Sequence, residues 1–476
     1  MQAATNYSPV TPAIADELRR IVGARYVIYN DSEKLEPYSH DEIPDRRWGH
    51  MPECVVRPES AGEIAGIMKL ANRECIPVTP RGAGSGLSGG AVPLFGGIVL
   101  LTDRMNRILE VDRENMMVVV EPGVVTNQIN EVLKEDGLFY PGYPMSLETC
   151  FIGGNVAENA GGAKAVKYGV TGRYVVGLEI VTATGKIVRL GGKLVKDVTG
   201  YDLLHLMVGS EGTLGIFTKI TLKLLPLPKA SVDLLCLFRE TEQAIAAVPK
   251  IMPEGGVIPA AIEYMDEPSV RNACAYVNES LPVRECGAML LITVDGSDPA
   301  QVEREYDAIG EQALAAGAME VYVADNRTTS ERIWRVRRNL AESIAVLSPH
   351  QANEDLSVPM AAIPQLVKGL EEIGRKYEAR AFCYGHAGDG NIHARVVKPG
   401  SWSVERWRET SPQMLKDIYS LARDLGGVIS GEHGIGHKRK GYMPLVCSPV
   451  YLETMRAVKR AFDPNNVLNP GKIFDL

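Results

Sequence analysis

Four of the eight histidines in the chain lie in two short glycine-rich segments whose spacing suits metal-assisted proton chemistry. Residues 386–393 read HAGDGNIH and place two imidazoles seven residues apart, whereas residues 431–437 read GEHGIGH and set Glu432 beside His433. Imidazole nitrogens and a carboxylate oxygen form a donor set that suits zinc and other transition metals. A further imidazole that titrates near neutral pH can act as a base. The two segments therefore predict a metal site with a base beside it, although a lone histidine is more often a core or loop-capping residue.

A second glycine-rich signature, PRGAGSGLSGG at residues 80–90, suits phosphate binding because backbone N–H groups with few side chains form a concave anion site. Its glycines also match the GxGxxG fingerprint of nicotinamide-binding folds, with Asp103 nineteen residues after Gly84. That fingerprint requires a strand before the loop and a helix after it. Prolines interrupt the preceding segment, and further glycines and a proline prevent a following helix. We therefore predict a pyrophosphate-binding loop outside the Rossmann and Walker classes, with a second such loop, FIGGNVAENAGG, at residues 151–162.

The composition excludes several classes of protein. At 476 residues the chain is long enough for two or more domains, and a net charge of −8 without a basic run gives no surface for nucleic acid. The eight cysteines form no CxxC pair, which argues against an iron–sulfur cluster, a zinc ribbon and a disulfide scaffold. We expect most of them to be reduced and buried. No signal peptide and no run of about eighteen apolar residues is present, so we expect a cytoplasmic protein that is not integral to a membrane.

Hydrophobic periodicity predicts an α+β chain whose texture changes at Pro226-Leu227-Pro228. Strands are predicted at residues 54–58, 76–80, 97–101, 116–120, 175–184, 185–190, 218–225, 232–237, 288–294 and 319–323. Helices are predicted at residues 13–22, 60–72, 126–135, 241–252, 299–316, 328–346, 361–378, 411–425 and 450–462. The two strands that meet at Thr184-Gly185 are expected to form a hairpin.

The glycine motifs PRGAGSG at residues 80–86 and IGGNVAENAGG at 152–162 resemble the FAD-binding domain of vanillyl-alcohol oxidase-like flavoproteins, whose last motif is matched by GSEGTLG at 209–215. The segments at 385–393 and 431–434 resemble the C-terminal half of one branch of that family. The branch comprises D-lactate dehydrogenases, D-2-hydroxyglutarate dehydrogenases and one of the subunits of glycolate oxidase, and the closing DP…NPGK pattern is also typical of it. Five motifs in matching order make the resemblance specific over most of the chain.

The resemblance implies an α+β fold with four parts. These are an N-terminal helical segment (residues 1–47), an FAD-binding domain of two α/β subdomains (48–227), an α+β substrate or cap domain (228–425) and a C-terminal segment that returns to the active site (426–476). In some relatives a histidine in the first loop holds FAD covalently, and because Ser85 stands about there, we expect non-covalent FAD. The implied contacts to the FAD pyrophosphate, ribityl chain and flavin ring are Pro80, Arg81, Gly82, Ala83, Gly84, Ser85, Gly86, Gly90, Pro144, Met145, Thr149, Gly153, Gly154, Asn155, Ala160, Gly162, Glu211, Gly212, Ile216 and Asn469.

The same resemblance implies a metal site and a base. One divalent ion is expected, with zinc favoured and iron or manganese as alternatives, and its implied ligands are His386, His393 and Glu432. His433 is the implied base, whereas His437 is expected to be structural or to support the ligands from behind. Asp389 and Asn391 are expected to orient the histidines through hydrogen bonds, as partners of metal ligands commonly do.

An arginine is the implied anchor of the substrate carboxylate. Arg337 lies three residues after Trp334, and a guanidinium offers two parallel N–H donors to a carboxylate. The plain alternative is an exposed basic helix face, because residues 332–338 read RIWRVRR, and Arg338 is a rival for the role.

These observations predict an FAD-dependent, metal-assisted dehydrogenase that oxidises a short 2-hydroxy acid, D-lactate or glycolate, to the 2-oxo acid. Asn353 or Glu354 stands where dicarboxylate-specific relatives have a lysine, which weakens the alternative of a D-2-hydroxyglutarate dehydrogenase. Because no second cofactor motif is present, electrons are expected to pass to a partner such as an electron-transfer flavoprotein or an iron–sulfur protein. An electron-bifurcating complex and a homodimer stay open. Two further alternatives are an O₂-using oxidase and a non-catalytic protein that only retains FAD.

Overall fold

The computed structural model describes residues 7–142, 144–282 and 286–476, and the chain divides into two compact units. The first unit comprises Met1–Ala160, Val170–Pro226 and Glu432–Leu476. The second unit comprises Gly161–Gly169 and Leu227–Gly431. Each unit is therefore assembled from separate stretches of sequence. The short stretch Gly161–Gly169 lies in sequence between two parts of the first unit but belongs to the second unit.

The chain alternates strands and helices. The strands are β1 Val27–Tyr29, β2 Cys54–Val56, β3 Val78–Arg81, β4 Ile98–Leu101, β5 Ile108–Asp112, β6 Met117–Val120, β7 Leu138–Phe139, β8 Val175–Val181, β9 Ile187–Gly191, β10 Ile216–Lys223, β11 Leu225–Pro226, β12 Ala230–Phe238, β13 Ala261–Asp266, β14 Ala288–Gly296, β15 Glu320–Ala324, β16 Gln351–Ser357, β17 Arg380–His386 and β18 Asn391–Val397. The helices are α1 Pro12–Val22, α2 Ser32–Leu35, α3 Ala61–Glu74, α4 Thr126–Leu133, α5 Ile152–Glu158, α6 Ala165–Tyr168, α7 Leu203–Met207, α8 Thr241–Gly255, α9 Glu267–Val277, α10 Pro299–Ala315, α11 Arg327–Arg338, α12 Leu340–Ala345, α13 Ile363–Lys376, α14 Val404–Asp424, α15 Met443–Val446 and α16 Pro449–Phe462.

The first unit contains a four-stranded and a five-stranded sheet. In the four-stranded sheet, of order β1-β2-β4-β3, β2, β4 and β3 are parallel and β1 is antiparallel to β2. The five-stranded sheet, of order β5-β6-β10-β8-β9, is antiparallel throughout. Helices α1 and α3 pack on the four-stranded sheet through a buried apolar cluster that includes Leu18, Ile67 and Val78. Helix α3 begins at the predicted capping box, where Ser60 Oγ accepts the Glu63 N–H at 3.2 Å.

The second unit is built around a seven-stranded antiparallel sheet of order β15-β12-β14-β13-β17-β18-β16. Helices α9, α11 and α12 contribute to a buried apolar cluster with this sheet, which includes Met289, Val336 and Leu340. The short inserted stretch is fastened to β14 through Asp295, which accepts hydrogen bonds from Lys167 Nζ at 2.6 Å and Tyr168 Oη at 2.9 Å. This sheet therefore positions both the inserted stretch and the two histidine-bearing strands.

The fold class predicted from the sequence is confirmed, and several elements match closely. Helices α1 and α10 coincide with predictions, and β8 and β9 form the predicted hairpin with Gly185 at a φ of +74°. The single helix predicted at 328–346 is wrong, because α11 ends at Arg338 and α12 is a separate helix. Helix α5 occupies most of the segment at 151–162 that was expected to be a loop. Strands β16 to β18 escape prediction because polar residues and glycines interrupt the apolar pattern of a buried strand.

Most cysteines are buried and all eight are free thiols, as the sequence predicts. Within the part of the chain that the structure describes, no helix combines the length and apolar composition that crossing a bilayer requires.

Candidate active site

The first glycine-rich segment leaves strand β3 and forms a loop. No α-helix lies between residues 82 and 97, as the sequence predicts. Asp103, which a Rossmann fold would use to bind a ribose, is instead engaged by Arg57, whose Nε lies 3.1 Å from Asp103 Oδ2. The structure therefore agrees with the exclusion of a dinucleotide fold of Rossmann type.

Arg81 supports this loop from behind. Its guanidinium donates to the His40 carbonyl at 2.8 Å and to the Pro37 carbonyl at 3.4 Å, and burial lowers the pKa of Arg81. Gly84 packs against the Arg81 guanidinium, because an added Cβ would lie 2.1 Å from Arg81 Nη2. Its φ of +81° also favours glycine. The loop backbone, rather than the Arg81 side chain, is thus what this segment can present to a phosphate.

The second glycine-rich segment forms helix α5. Gly153 packs on Pro122, since an added Cβ would lie 2.6 Å from the Pro122 Cβ. Gly154 faces open space, with no atom within 4 Å of an added Cβ. Asn155 donates from Nδ2 to Thr126 Oγ1 at 2.6 Å, so its amide anchors the helix. Contacts within the protein therefore require glycine at position 153 but not at position 154. The open surface beside Gly154 leaves room for a bound cofactor.

Asn469 and Glu211 tie the glycine motifs of the first unit together. Asn469 Nδ2 donates to the Gly90 carbonyl at 3.0 Å and to the Glu211 carbonyl at 2.8 Å. The Glu211 carboxylate accepts the N–H groups of Ile435 at 2.7 Å and Gly436 at 2.6 Å. These bonds fix the first loop, the GSEGTLG motif and the segment that follows the Glu-His pair in one arrangement.

The residues implied to lie near the flavin ring differ in exposure. Pro144 and Ile216 are buried, Met145 is half-buried and Thr149 is exposed. Gly212 has a φ of +66°, which explains why glycine occupies this position in the motif.

Glu158 carries a solvent-shielded carboxyl oxygen that the sequence does not single out. It lies beside Gly434, where an added Cβ would be 2.0 Å from Glu158 Oε2 and 3.1 Å from Glu211 Oε1. Burial first, and then the charges of Glu211 and Asp41, raise the pKa of Glu158 well above its usual value. Because Glu211 accepts two backbone N–H groups and Glu158 does not, Glu158 is the carboxyl that keeps its proton.

A buried ion pair holds helix α16 to the C-terminal turn. Lys459, 3% exposed, donates from Nζ to Asp463 Oδ2 at 2.6 Å and to the carbonyls of Thr213 at 2.8 Å and Leu468 at 2.7 Å. Asp463 also accepts the Leu468 N–H at 2.8 Å. The pair therefore fixes the backbone directly before Asn469.

The Glu-His pair opens the last stretch of the first unit. Glu432 Oε1 lies 3.8 Å from His433 Nε2, and both side chains are partly exposed. His437 packs edge-on against Trp48 with ring centroids 5.3 Å apart, and its Nε2 lies 3.0 Å from the Trp48 carbonyl. Burial lowers the pKa of His437 to about 4, which favours the neutral ring at neutral pH.

In the second unit, His386 and His393 lie on adjacent antiparallel strands. The register pairs His386 with Asn391 and Tyr384 with His393, so the two imidazoles share a sheet face. Their ring centroids are 5.3 Å apart, and both side chains are buried. The turn between the strands contains Gly390 at a φ of +88°, a conformation that favours glycine. The hairpin thus brings the imidazoles of His386 and His393, seven residues apart in sequence, into contact.

Glu263 on β13 links one of these histidines to an arginine. Its Oε1 lies 2.6 Å from His386 Nδ1, and its Oε2 accepts from Arg337 Nε at 2.6 Å. Glu263 is fully buried; burial acts to raise its pKa, but the charges of Arg337 and His386 outweigh that effect and the pKa lies below its usual value. An ionised Glu263 accepts a proton from His386 Nδ1, so Nε2 is the ring nitrogen that stays available as an acceptor or a ligand.

Arg337 faces the sheet. It is 3% exposed, it forms an ion pair with Glu263, and its guanidinium lies 5.3 Å from the centre of the Tyr384 ring. Arg338 instead pairs with Glu331 on the partly exposed side of the helix. The plain interpretation as a basic surface is therefore wrong for Arg337, although it describes Arg338.

Asp355 on β16 organises the surroundings of the other histidine. Its Oδ1 accepts from Asn391 Nδ2 at 2.6 Å, and its Oδ2 accepts from Ser430 Oγ at 2.8 Å and the Gly431 N–H at 2.9 Å. Asp355 Oδ1 also lies 3.8 Å from His393 Nδ1. The amide of Asn391 thus holds Asp355 rather than either histidine, which corrects the expectation that it orients them directly.

Arg395 lies two residues beyond His393 on β18 and is 4% exposed. Its Nε donates to Tyr384 Oη at 2.9 Å, and its Nη1 donates to Gln351 Oε1 at 3.0 Å. Both acceptors are neutral, and Arg395 forms no ion pair with any residue that the structure describes.

The second unit brings three of the predicted site residues together, namely His386, His393 and Arg337. Glu432 and His433 belong to the first unit. Sequence reasoning did not identify Glu263, Asp355 or Arg395. Such residues can be recognised as charged positions inside a buried strand, because buried charges are rare unless they have a partner. Glu263 lies in AIEYMD at β13, and Asp355 lies in QANEDLS at β16.

The domain matches define the class of protein. Residues 227–473 match the family of FAD linked oxidases, C-terminal domain, and residues 52–191 match an FAD binding domain. The chain therefore belongs to the FAD-linked oxidases and is an FAD-dependent oxidoreductase.

Curated relatives match over nearly their whole length. The glycolate oxidase subunit GlcD of Bacillus subtilis is 38% identical over 465 residues, which cover 98% of this chain and 97% of the relative. The D-lactate dehydrogenase of Anaerostipes hadrus is 38% identical over 472 residues, covering 98% of each chain. The D-2-hydroxyglutarate dehydrogenase of Stutzerimonas stutzeri is 30% identical over 467 residues, covering 97% of this chain and 99% of the relative.

A solved structure shares the fold. p-Cresol methylhydroxylase with substrate bound matches with a TM-score of 0.79 at 18% identity, and the match covers 97% of this chain and 96% of that one. The resemblance inferred from the motifs is thereby confirmed for both the family and the fold.

Proposed function

We propose that this protein is a dehydrogenase that oxidises a short 2-hydroxy acid, D-lactate or glycolate, to the corresponding 2-oxo acid. Relatives named as a D-lactate dehydrogenase and as part of a glycolate oxidase support this substrate class. The observation that carries the proposal is the buried chain of Arg337, Glu263 and His386 on one sheet face. It sets a cation suited to a carboxylate beside an imidazole suited to a metal.

FAD would be held mainly by the backbone of the two glycine segments. The conformation of Gly84 disfavours a side chain, and the open space at Gly154 leaves room for a bound group. Ser85, in place of the histidine that some relatives use for a covalent link, supports non-covalent binding. When bound, FAD accepts the hydride that leaves the substrate Cα.

A divalent metal site is the second part of the proposal, with zinc expected and iron or manganese as alternatives. Its proposed ligands are His386, His393 and Glu432. A metal there would supply Lewis-acid chemistry that lowers the pKa of the substrate hydroxyl. The donor set fits, because Glu263 fixes the proton on His386 Nδ1 and leaves Nε2 for coordination. Glu432 follows Gly431 in the chain, and the Gly431 N–H is held by Asp355.

Two side chains of this protein would act on the substrate directly. His433 is the proposed base that takes the hydroxyl proton, a role that contributes on the order of 10²–10⁴-fold in rate. Arg337 is the proposed anchor of the carboxylate. Glu263 engages Nε and Nη2 of Arg337, so the guanidinium keeps donors on its Nη1 side for a ligand.

Electrons are proposed to leave to another protein in the cytoplasm, such as an electron-transfer flavoprotein or an iron–sulfur protein. The absence of a second redox-cofactor motif in the sequence supports a separate acceptor. A homodimer is compatible with this proposal.

A D-2-hydroxyglutarate dehydrogenase is the second candidate, because one relative carries that name. Asn353 or Glu354 stands where dicarboxylate-specific relatives have a lysine, and this favours D-lactate or glycolate over D-2-hydroxyglutarate. The Glu354 carboxylate accepts from Tyr419 Oη, and Asn353 is neutral, so neither supplies a cation for a second carboxylate.

The decisive experiment is anaerobic reduction of the bound flavin by a panel of D- and L-2-hydroxy acids. We expect D-lactate or glycolate to bleach the visible flavin absorbance of the wild type. His433→Ala should keep its FAD but lose this reduction, and elemental analysis should find one divalent metal per chain in both. Flavin that no hydroxy acid reduces would contradict the proposed activity, and unchanged rates in His433→Ala would remove His433 as the base.

A further inference from the structure

The sheet face that carries the two histidines contains a cation to which the described residues supply no counter-ion. Arg337 is paired with Glu263, so its charge is compensated within the protein. Arg395 is buried to a similar degree, yet its described partners are the neutral Tyr384 hydroxyl and the Gln351 amide. Burying a guanidinium without an anion is costly, and such a cation is retained where a ligand supplies the missing charge.

Asp355 is the carboxylate of β16 on the same sheet face as Arg395, because Asn353 pairs with Arg395 and Asp355 with His393. Its oxygens accept from Asn391, Ser430 and Gly431, and it forms no ion pair with Arg395. The charge on Arg395 is therefore not explained by its neighbour on β16.

Arg395 is also placed to meet a ligand of the proposed metal site. It emerges on the same face as His393, two residues and roughly 7 Å further along the strand. Tyr384 connects the group, because its hydroxyl accepts from Arg395 while its ring lies 5.4 Å from the His393 ring and under Arg337. Nη2 of Arg395 has no hydrogen-bond partner among the described residues, so its two N–H groups are left for a ligand.

We propose that Arg395 is a carboxylate-binding subsite of the active site. The inference rests on the proposed oxidation of 2-hydroxy acids and adds a recognition element to it. A guanidinium suits a carboxylate because it presents paired N–H donors in a fixed plane. The carboxylate is either the one that every 2-hydroxy acid carries or the second carboxylate of a dicarboxylic 2-hydroxy acid.

Thermal stability of the holoenzyme without substrate tests the missing counter-ion. Arg395→Met removes an uncompensated buried charge, so its melting temperature should equal or exceed that of the wild type. Arg337→Met removes the arginine partner of the buried Glu263 carboxylate and should melt lower. Arg380→Met, an exposed arginine on the adjacent strand, serves as the matched control. A fall for Arg395→Met as large as that for Arg337→Met would make Arg395 a structural cation and overturn the proposal.

Substrate kinetics identify which carboxylate is bound. KM, or the inhibition constant for an acid that is not turned over, is measured with D-lactate and with D-2-hydroxyglutarate. Loss of a charged hydrogen bond should raise the constant about 10–100-fold in Arg395→Met, and Arg395→Lys should recover part of it. A rise for both acids assigns the shared carboxylate, and a rise for D-2-hydroxyglutarate alone assigns the second one. Unchanged constants for both acids would overturn the subsite.

The two proposals fail in different ways. If no hydroxy acid reduces the wild-type flavin, the proposed activity fails, while the comparison of melting temperatures still tests Arg395. If the wild type is active and Arg395→Met matches it in every measurement, only the subsite is wrong.

Discussion

Gly154→Ala should have opposite effects on the stability of the FAD-free protein and on its affinity for FAD. The added Cβ meets no protein atom within 4 Å, and Gly154 lies inside helix α5. Alanine should therefore stabilise the FAD-free protein by about 0.5–1 kcal/mol through helix propensity, which raises the melting temperature by roughly 1–4 °C. If FAD occupies the open space, the same methyl group overpacks the cofactor at a cost of about 1–3 kcal/mol. We therefore expect FAD to bind roughly 5–150-fold more weakly.

The assay combines a melting curve of the FAD-free protein with a titration by FAD, followed through quenching of flavin fluorescence. Gly441→Ala is the matched control, because an added Cβ there also meets nothing within 4 Å but lies in a segment not assigned to the cofactor. A variant that melts higher yet binds FAD as tightly as the wild type would refute the assignment of Gly154 to the cofactor surface. A lower melting temperature would refute the reasoning about open space.

Two further predictions concern buried charges in the first unit. Lys459→Met leaves Asp463 and two carbonyls without their shared donor, so we expect a loss of about 3–5 kcal/mol and a melting temperature lower by roughly 6–20 °C. Lys440→Met, which breaks a more accessible pair with Asp475, should change stability by only about 0–1 kcal/mol, and equal shifts in the two variants would contradict the argument. Glu158→Gln should gain stability relative to the wild type as pH rises above 4.5, because the unfolded wild type loses its proton first over the interval up to the raised folded pKa. Parallel melting-temperature profiles from about pH 5 to about pH 9 would show that Glu158 is not protonated in the folded protein.

Sequence patterns predict the parts of this fold that rest on local signals. Helix α1 and the β8–β9 hairpin were predictable because capping, periodicity and a turn glycine agree within a few residues. Strands β16, β17 and β18 were not, since they are buried yet carry polar residues and glycines, and the seven-stranded sheet sets their environment. The elements hardest to predict are thus those that hold the candidate site.

The candidate site divides in a similar way. The histidines stand out because glycines and a second imidazole surround them in sequence, whereas Glu263 and Arg395 are single charged residues inside strands and lack such a sequence context. Glu263 is joined to His386 by a hydrogen bond that spans 123 positions. Pairings of that range become visible only when the strand order is known, so a single sequence cannot indicate which charge meets which imidazole.

The interleaving of the two units constrains how the protein can be made. Strand β3 is made before most of the chain, yet Val78 forms a parallel bridge with Leu468, which follows it by several hundred residues. The stretch that carries Lys167 must likewise wait for Asp295 before it can dock. The first unit therefore cannot finish folding until its last stretch, which begins at Glu432, has been made, and its early apolar strands stay exposed until then. A chain that stops short of Leu468 would keep the pairing of β3 with β4 but lose the bridge that joins the C-terminal stretch to this sheet.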